Sequence, residues 1–224
     1  MERITIYHGS DHEIRNPQFG VGEVHNDYGQ AFYCTFDLDM AKEWANKNMI
    51  GGVVNKYSLD CRGLKILDLT NKKYNSLNWI AILMHYRKLS SAQKESYRTR
   101  LEFLEKNFYI DLSQYDVVIG YRADDAYFKF PIFFIQNELS VERLEEIYNL
   151  GNLGKQIAII SKKGFKRIKF VSSIKAEARF HDQYLYRKNK ADSRFEQIRI
   201  EEINSNKTKI ESLMAEYDKR KWCK

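Results

Sequence analysis

The sequence predicts an α+β fold with a C-terminal helical extension, and three observations carry that prediction. Strand-like segments rich in β-branched and aromatic residues are scattered among segments of helical spacing. The later strand-like segments lie close together. After Val171 there is no further strand pattern, and the chain reads as helix dense in Lys, Arg and Glu.

Taken in order, residues 3–7 alternate as a strand that is expected to stop on His8, Gly9 and Ser10. Residues 31–35 (A-F-Y-C-T), 53–59 and 64–67 carry the same strand bias, as do 116–120, 156–160 and 166–171. Asp37 or Asp39 caps a helix that sets Met40, Ala41, Trp44 and Ala45 on one face. Residues 76–88 predict an apolar helix and 91–107 a charged one. Ser140 followed by early glutamates is a capping signature for a helix ending near Gly151. In the tail, Phe195, Ile198, Ile203, Ile210, Leu213 and Tyr217 recur at helical spacing, a stripe suited to docking on the domain.

Composition narrows the function classes. Apolar residues make up 43% of 224, enough for a substantial core, and with only two prolines no Pro-rich linker divides the chain. No apolar run approaches a membrane span, so no membrane partner is expected. No secretory pattern opens the sequence, and Cys34, Cys61 and Cys223 are scattered and odd in number; both predict a reducing, cytoplasmic location. The net charge of +7 suits either solubility or an anionic partner. It concentrates at Lys162–Lys169, at Arg187, Lys188 and Lys190, and at Lys219–Lys221.

Several familiar chemistries find no support. Neither a glycine-rich phosphate loop nor a G-x-S-x-G nucleophile turn is present. His8 and His12 stand four apart, but the glycine between them denies a shared helix face, so no metal site is expected. The Y-H-G-S strand end itself reads either as a plain turn or as a place where His8 and the Gly9 backbone hold a ligand.

Four segments, in order, carry a resemblance. They are Y-H-G-S (Tyr7–Ser10), D-Y-G-Q-A-F-Y-C-T-F followed by the Trp44 helix, Y-D-V-V-I-G-Y-R-A-D-D-A-Y (Tyr115–Tyr127), and L-G-K-Q-I-A-I-I-S-K-K-G-F-K-R-I-K-F (Leu153–Phe170). Together they resemble a bacterial family catalogued as a domain of unknown function. That family is similar to a branch of the ADP-ribosyltransferase superfamily, whose members split NAD and transfer ADP-ribose. The resemblance implies an ADP-ribosyltransferase-like split β core with flanking helices in residues 1–171, and a basic helical extension in 172–224.

The diphtheria-like branch is described by a histidine, a tyrosine and a glutamate on three core strands. Carried over, His8 holds the adenosine-side ribose, and Gly9, beside Ser10, offers backbone bonds to the nicotinamide amide. Tyr33 stacks on the nicotinamide ring, which suits a flat, rotamer-poor aromatic, and Thr35 lines the pocket. The third position departs from the pattern, because Gln156 stands where glutamate is usual. A carboxylate stabilises the charge developing on ribose better than a neutral amide does. The departure therefore bears on activity more than on NAD binding, and Gln156→Glu is expected to preserve or raise hydrolysis. Asp124 or Asp125 supplies the missing negative charge or serves as a structural cap, and Tyr127 flanks the pocket.

The resemblance thus implies a cytoplasmic bacterial ADP-ribosyltransferase, with NAD as co-substrate and a macromolecular acceptor, protein or nucleic acid. The setting implied is a toxin–antitoxin or phage-defence system, with an antitoxin protein as partner. The alternatives are an NAD glycohydrolase, and a catalytically weak NAD- or nucleic-acid-binding module on the same fold.

Overall fold

The computed structural model describes residues 2–47, 51–123, 129–152, 154–203 and 205–222. Among these, the strands β1 (Arg3–Ser10), β2 (Phe32–Thr35), β3 (Val53–Asp60), β4 (Ile66–Asp68), β5 (Val117–Gly120), β6 (Gln156–Ile159) and β7 (Ile168–Lys175) form one sheet. Its order is β4-β5-β6-β2-β1-β3-β7. β4 and β5 run parallel and every other neighbouring pair antiparallel, so the class is α+β with a mixed sheet.

The sheet divides in its middle. β1 and β3 pair along their full length, from Arg3↔Asp60 to Ser10↔Val53. β1 and β2 share the single register pair Tyr7↔Thr35. Two half-sheets, β4-β5-β6-β2 and β1-β3-β7, are therefore joined at one residue pair and open beyond it. Side-chain alternation then sends Val118 and Ala158 into a large core on one face, and Val117, Ile157 and Ile159 into a smaller core on the other.

The helices are α1 (Leu38–Ala45), α2 (Ser76–Tyr86), α3 (Ser91–Ser96), α4 (Arg98–Phe108), α5 (Lys129–Ile135), α6 (Leu144–Tyr148), α7 (Lys162–Phe165), α8 (Arg179–Glu202) and α9 (Ile210–Trp222). Asp37 caps α1, accepting from the Asp39 and Met40 N–H groups at 2.8 and 3.1 Å. α2 is apolar all round because the large core encloses it: Trp79, Ile80, Ile82 and Leu83 are all buried. Each such side chain contributes about 1.5–3 kcal/mol of burial free energy. Among the described residues no helix is long and apolar enough to cross a membrane.

The structure corrects several expected boundaries. β1 continues through His8, Gly9 and Ser10 because β3 supplies Asn55, Val54 and Val53 as partners. The charged helix expected over 91–107 breaks at Tyr97 into α3 and α4. Ser140 makes no side-chain cap bond; its own N–H donates to Glu202 of α8 at 2.9 Å. A 3-10 turn over Val141–Arg143 comes next, and then the short α6.

The last expected strand also shifts, from 166–171 to Ile168–Lys175, so strand structure passes the predicted boundary at Val171. Beyond it, α8 and α9 do not stand apart. Phe195, Ile198 and Ile210 are buried in the same large core as α2, with Leu213 and Tyr217 packed against it. Ile203 is the exception in the predicted stripe, at 71% exposure.

Candidate functional site

A cleft of about 230 Å³ is lined by residues of β1, β2, α1 and β6 and of the segments that precede β2 and come after α1, α2 and β5. His8, Tyr33 and Gln156, expected on three separate strands, all line it. The register explains part of this meeting. Thr35 pairs with Gln156 and Tyr33 with Ala158, which puts Tyr33 and Gln156 on one face of the sheet, one step apart.

His8 reaches the cleft where β1 and β2 have ceased to pair. Its Nδ1 lies 2.7 Å from the Tyr33 carbonyl oxygen, and the ring packs on Phe32 with centroids 4.5 Å apart. A carbonyl only accepts, so Nδ1 carries the hydrogen. Burial pushes the His8 pKa down and so favours the neutral ring. Nε2 is then an unprotonated acceptor, the nitrogen left to receive a hydroxyl donor.

Tyr33 is held at its far end. Its hydroxyl donates to the Gly29 carbonyl at 2.6 Å and accepts from the Tyr28 N–H at 3.0 Å. Gly29 has φ of 75°, and a side chain there would meet the Tyr86 ring, so the D-Y-G turn needs its glycine. This turn presents its first residue, Asp27, to the cleft.

Asp27 is one of the site residues that sequence reasoning missed, with Asn26, Lys47, Arg87 and Arg122. It is 5% exposed. Its Oδ2 accepts from the Gln156 Nε2 and the Ala123 N–H, both at 2.8 Å. Among the described residues its Oδ1 has no hydrogen-bond partner; Arg87 Nη1 stands 3.8 Å away. Burial raises the carboxyl above its ordinary pKa, opposed by the positive charge of Arg87 and by the bonds from Ala123 and Gln156. Gln156 Nε2 also donates to the Tyr121 carbonyl, at 3.0 Å. Its amide group thus points at the cleft's carboxylate.

Three cations, Lys47, Arg87 and Arg122, line the same cleft. The Arg122 guanidinium lies 3.7 Å from the Trp44 ring centroid, and the buried Trp44 Nε1 makes no hydrogen bond. Among the described residues the cleft therefore combines a basic lining, a buried acidic oxygen without a donor and a buried donor without an acceptor. Such a lining suits an anionic ligand that also carries polar groups.

Other expected site residues are placed elsewhere. A side chain on Gly9 would stand 2.1 Å from the Ala41 carbonyl oxygen and 2.9 Å from Trp44 Cβ, so this glycine seats α1 against β1. Ser10 is not among the residues lining the cleft; its hydroxyl donates to the His12 carbonyl and accepts from Asn55 at 2.9 Å. Thr35, expected in the pocket, is buried; its hydroxyl accepts from the Asp37 N–H at 3.1 Å and donates toward the Lys155 carbonyl. Asp124, Asp125 and Tyr127 lie outside the described residues. A larger cavity of about 660 Å³ between α1, α8 and the 149–152 turn contains none of the three strand residues.

Comparison with curated proteins and with solved structures finds no match. A family described as a protein of unknown function (DUF3990) matches residues 4–170, a span that takes in all the described residues lining the cleft and nearly all of the sheet. On that match the chain belongs to the DUF3990 family.

Proposed function

We propose that this chain is an NAD-dependent ADP-ribosyltransferase, cleaving the bond between nicotinamide and ribose and transferring ADP-ribose to an intracellular macromolecule. The observation that carries this reading is the meeting of His8, Tyr33 and Gln156 in one basic cleft at the opening of the sheet. In this reading His8 Nε2 accepts a ribose hydroxyl, and the Tyr33 ring bounds the nicotinamide end. Lys47, Arg87 and Arg122 favour the negatively charged pyrophosphate. The cytoplasmic location and the role as a bacterial toxin, held in check by an antitoxin protein, belong to the same proposal; Cys34 and Cys61 are unbonded thiols, as a reducing compartment requires.

The experiment is nicotinamide release from NAD, with and without cell lysate, alongside NAD-dependent thermal stabilisation. Release that needs lysate marks a transferase, and release into water alone marks an NAD glycohydrolase. His8→Ala and Tyr33→Ala each remove a polar or stacking contact and should weaken NAD binding by about 1–3 kcal/mol. An unshifted melting curve at millimolar NAD, with no nicotinamide formed, would remove the proposal.

One observation favours a second reading. Both amide hydrogens of Gln156 are engaged by Asp27 and Tyr121, so this side chain has no donor left for a ribose oxygen. A weak NAD- or nucleic-acid-binding module on this fold accounts for that. NAD binding without release would select it.

A further inference from the structure

We propose that Asp27 is the catalytic carboxylate of this cleft, supplying the negative charge that the third strand position lacks. The inference rests on the transferase reading above and names the group that stabilises the departing ribosyl cation.

Four observations point to it. Asp27 lines the cleft together with His8, Tyr33 and Gln156. It is buried, yet one carboxylate oxygen, Oδ1, has no hydrogen-bond donor among the described residues, an arrangement that costs free energy unless a ligand completes it. The other oxygen is fixed by two bonds of 2.8 Å, from Gln156 and from the Ala123 backbone, so the group is oriented before any substrate arrives. Finally, Gln156 sits one hydrogen bond from that carboxylate. The amide at the strand position and the acid from the D-Y-G turn together occupy the place where a glutamate alone would stand.

The chemistry requires a fixed negative charge there. The ribosyl carbon–nitrogen bond breaks with its electron pair going to nitrogen, which departs as neutral nicotinamide. Positive charge develops on the ribose, and Asp27 Oδ1 opposes it at close range in a low-dielectric site. The oxygen or nitrogen of the acceptor forms the new bond to that carbon, and its proton passes to water. Burial raises the Asp27 pKa, and Arg87, 3.8 Å from Oδ1, acts against that shift in favour of the ionised carboxylate. The unpartnered indole N–H of Trp44 offers a donor to the same ligand.

Asp27→Asn is a clean test, because both fixed bonds go to Oδ2. An asparagine with its carbonyl oxygen in that place retains both, and changes the atom at Oδ1 and the charge that Arg87 faces. The assay uses NAD as probe and reads nicotinamide release, with the thermal midpoint and the NAD-induced shift measured on the same samples. Release should fall about 10²–10³-fold, while the shift by NAD persists; the midpoint of the unliganded chain should fall, because the exchange removes the charge that Arg87 faces at 3.8 Å. Asp27→Asn/Gln156→Glu moves the carboxylate to the strand position and should recover at least tenfold of that loss.

Wild type that releases nicotinamide beside an Asp27→Asn variant within threefold of it overturns this inference and leaves the transferase reading standing. Loss in the single variant with no recovery in the double reduces Asp27 to a positioning residue and also overturns it. Wild type that neither releases nicotinamide nor is stabilised by NAD overturns the transferase reading, and this inference with it.

Discussion

Gln156 Nε2 donates to Asp27 Oδ2 at 2.8 Å, across 129 residues of sequence. That bond joins β6 to the turn before β2. It gives the glutamine a reason to be a glutamine, since a donor must face a buried carboxylate there.

Gln156→Glu therefore has the opposite outlook from the one the strand position suggests. It sets two carboxylates within hydrogen-bond distance and removes the donor to the Tyr121 carbonyl. Like charges so close cannot both ionise, so one carboxyl takes up a proton. The expected cost is about 1–3 kcal/mol near neutral pH, shrinking as the pH falls and the shared proton binds. Urea unfolding at pH 8 and pH 5.5 reads this directly. A variant as stable as wild type at pH 8, and faster at NAD hydrolysis, would restore the simpler expectation.

His8 makes a second pH-dependent contribution, of definite sign. Burial lowers its pKa in the folded chain, so below about 6.5 the unfolded chain binds a proton that the folded chain does not. Stability is thus lost as the pH falls through that value. His8→Asn keeps an N–H for the Tyr33 carbonyl but cannot titrate. The stability gap between wild type and variant should change between pH 8 and pH 5, with wild type losing more. Parallel curves across that range would show that His8 titrates freely.

The sequence made the class of the fold legible, along with most strands; His8, Tyr33 and Gln156 are named together only through the family resemblance. The legible signals are local: β-branched runs, an Asp cap, a Y-H-G-S end. The features it hid depend on distant partners. β1 runs past its apparent stop because β3 is there to pair with it. Ser140 makes no cap bond, and its own N–H donates instead to Glu202, a residue 62 positions away. Asp27 reads as an ordinary turn acid until Gln156 and Ala123 close on it. A buried acid in a D-x-G turn has no sequence pattern that separates it from an exposed one.

Gly9 separates packing from ligand binding. A methyl group there meets the Ala41 carbonyl at 2.1 Å and the Ala45 nitrogen at 2.7 Å, both backbone atoms of α1. Gly9→Ala must push α1 off the strand, at a cost of about 1–3 kcal/mol or more. Because Trp44 rides on α1 and lines the cleft, NAD binding should weaken in the same variant. Wild-type stability in Gly9→Ala, with loss of NAD binding alone, would instead assign the glycine a direct contact.

The basic cluster of α8 divides into one structural and two surface cations. Arg187 pairs with Glu43, which is 1% exposed, and donates to the Asn152 carbonyl at 3.1 Å. Lys188 pairs with Asp192, one turn along its own helix, and Lys190 is exposed. Reversing all three charges would confound unfolding with any loss of an anionic partner. Arg187→Ala alone strands a buried carboxylate and should cost about 3–5 kcal/mol near pH 8. Burial already raises the Glu43 pKa, with Arg187 pulling against it. The folded chain therefore holds the Glu43 proton more tightly than the unfolded chain, and the penalty should shrink as the pH falls toward 5. Lys188→Glu/Lys190→Glu should stay within about 1 kcal/mol of wild type, as solvent-screened charges do. It is then the variant with which to measure steering of an anionic partner. Denaturation curves at two pH values settle the division, and an Arg187→Ala chain as stable as wild type at pH 8 would refute it.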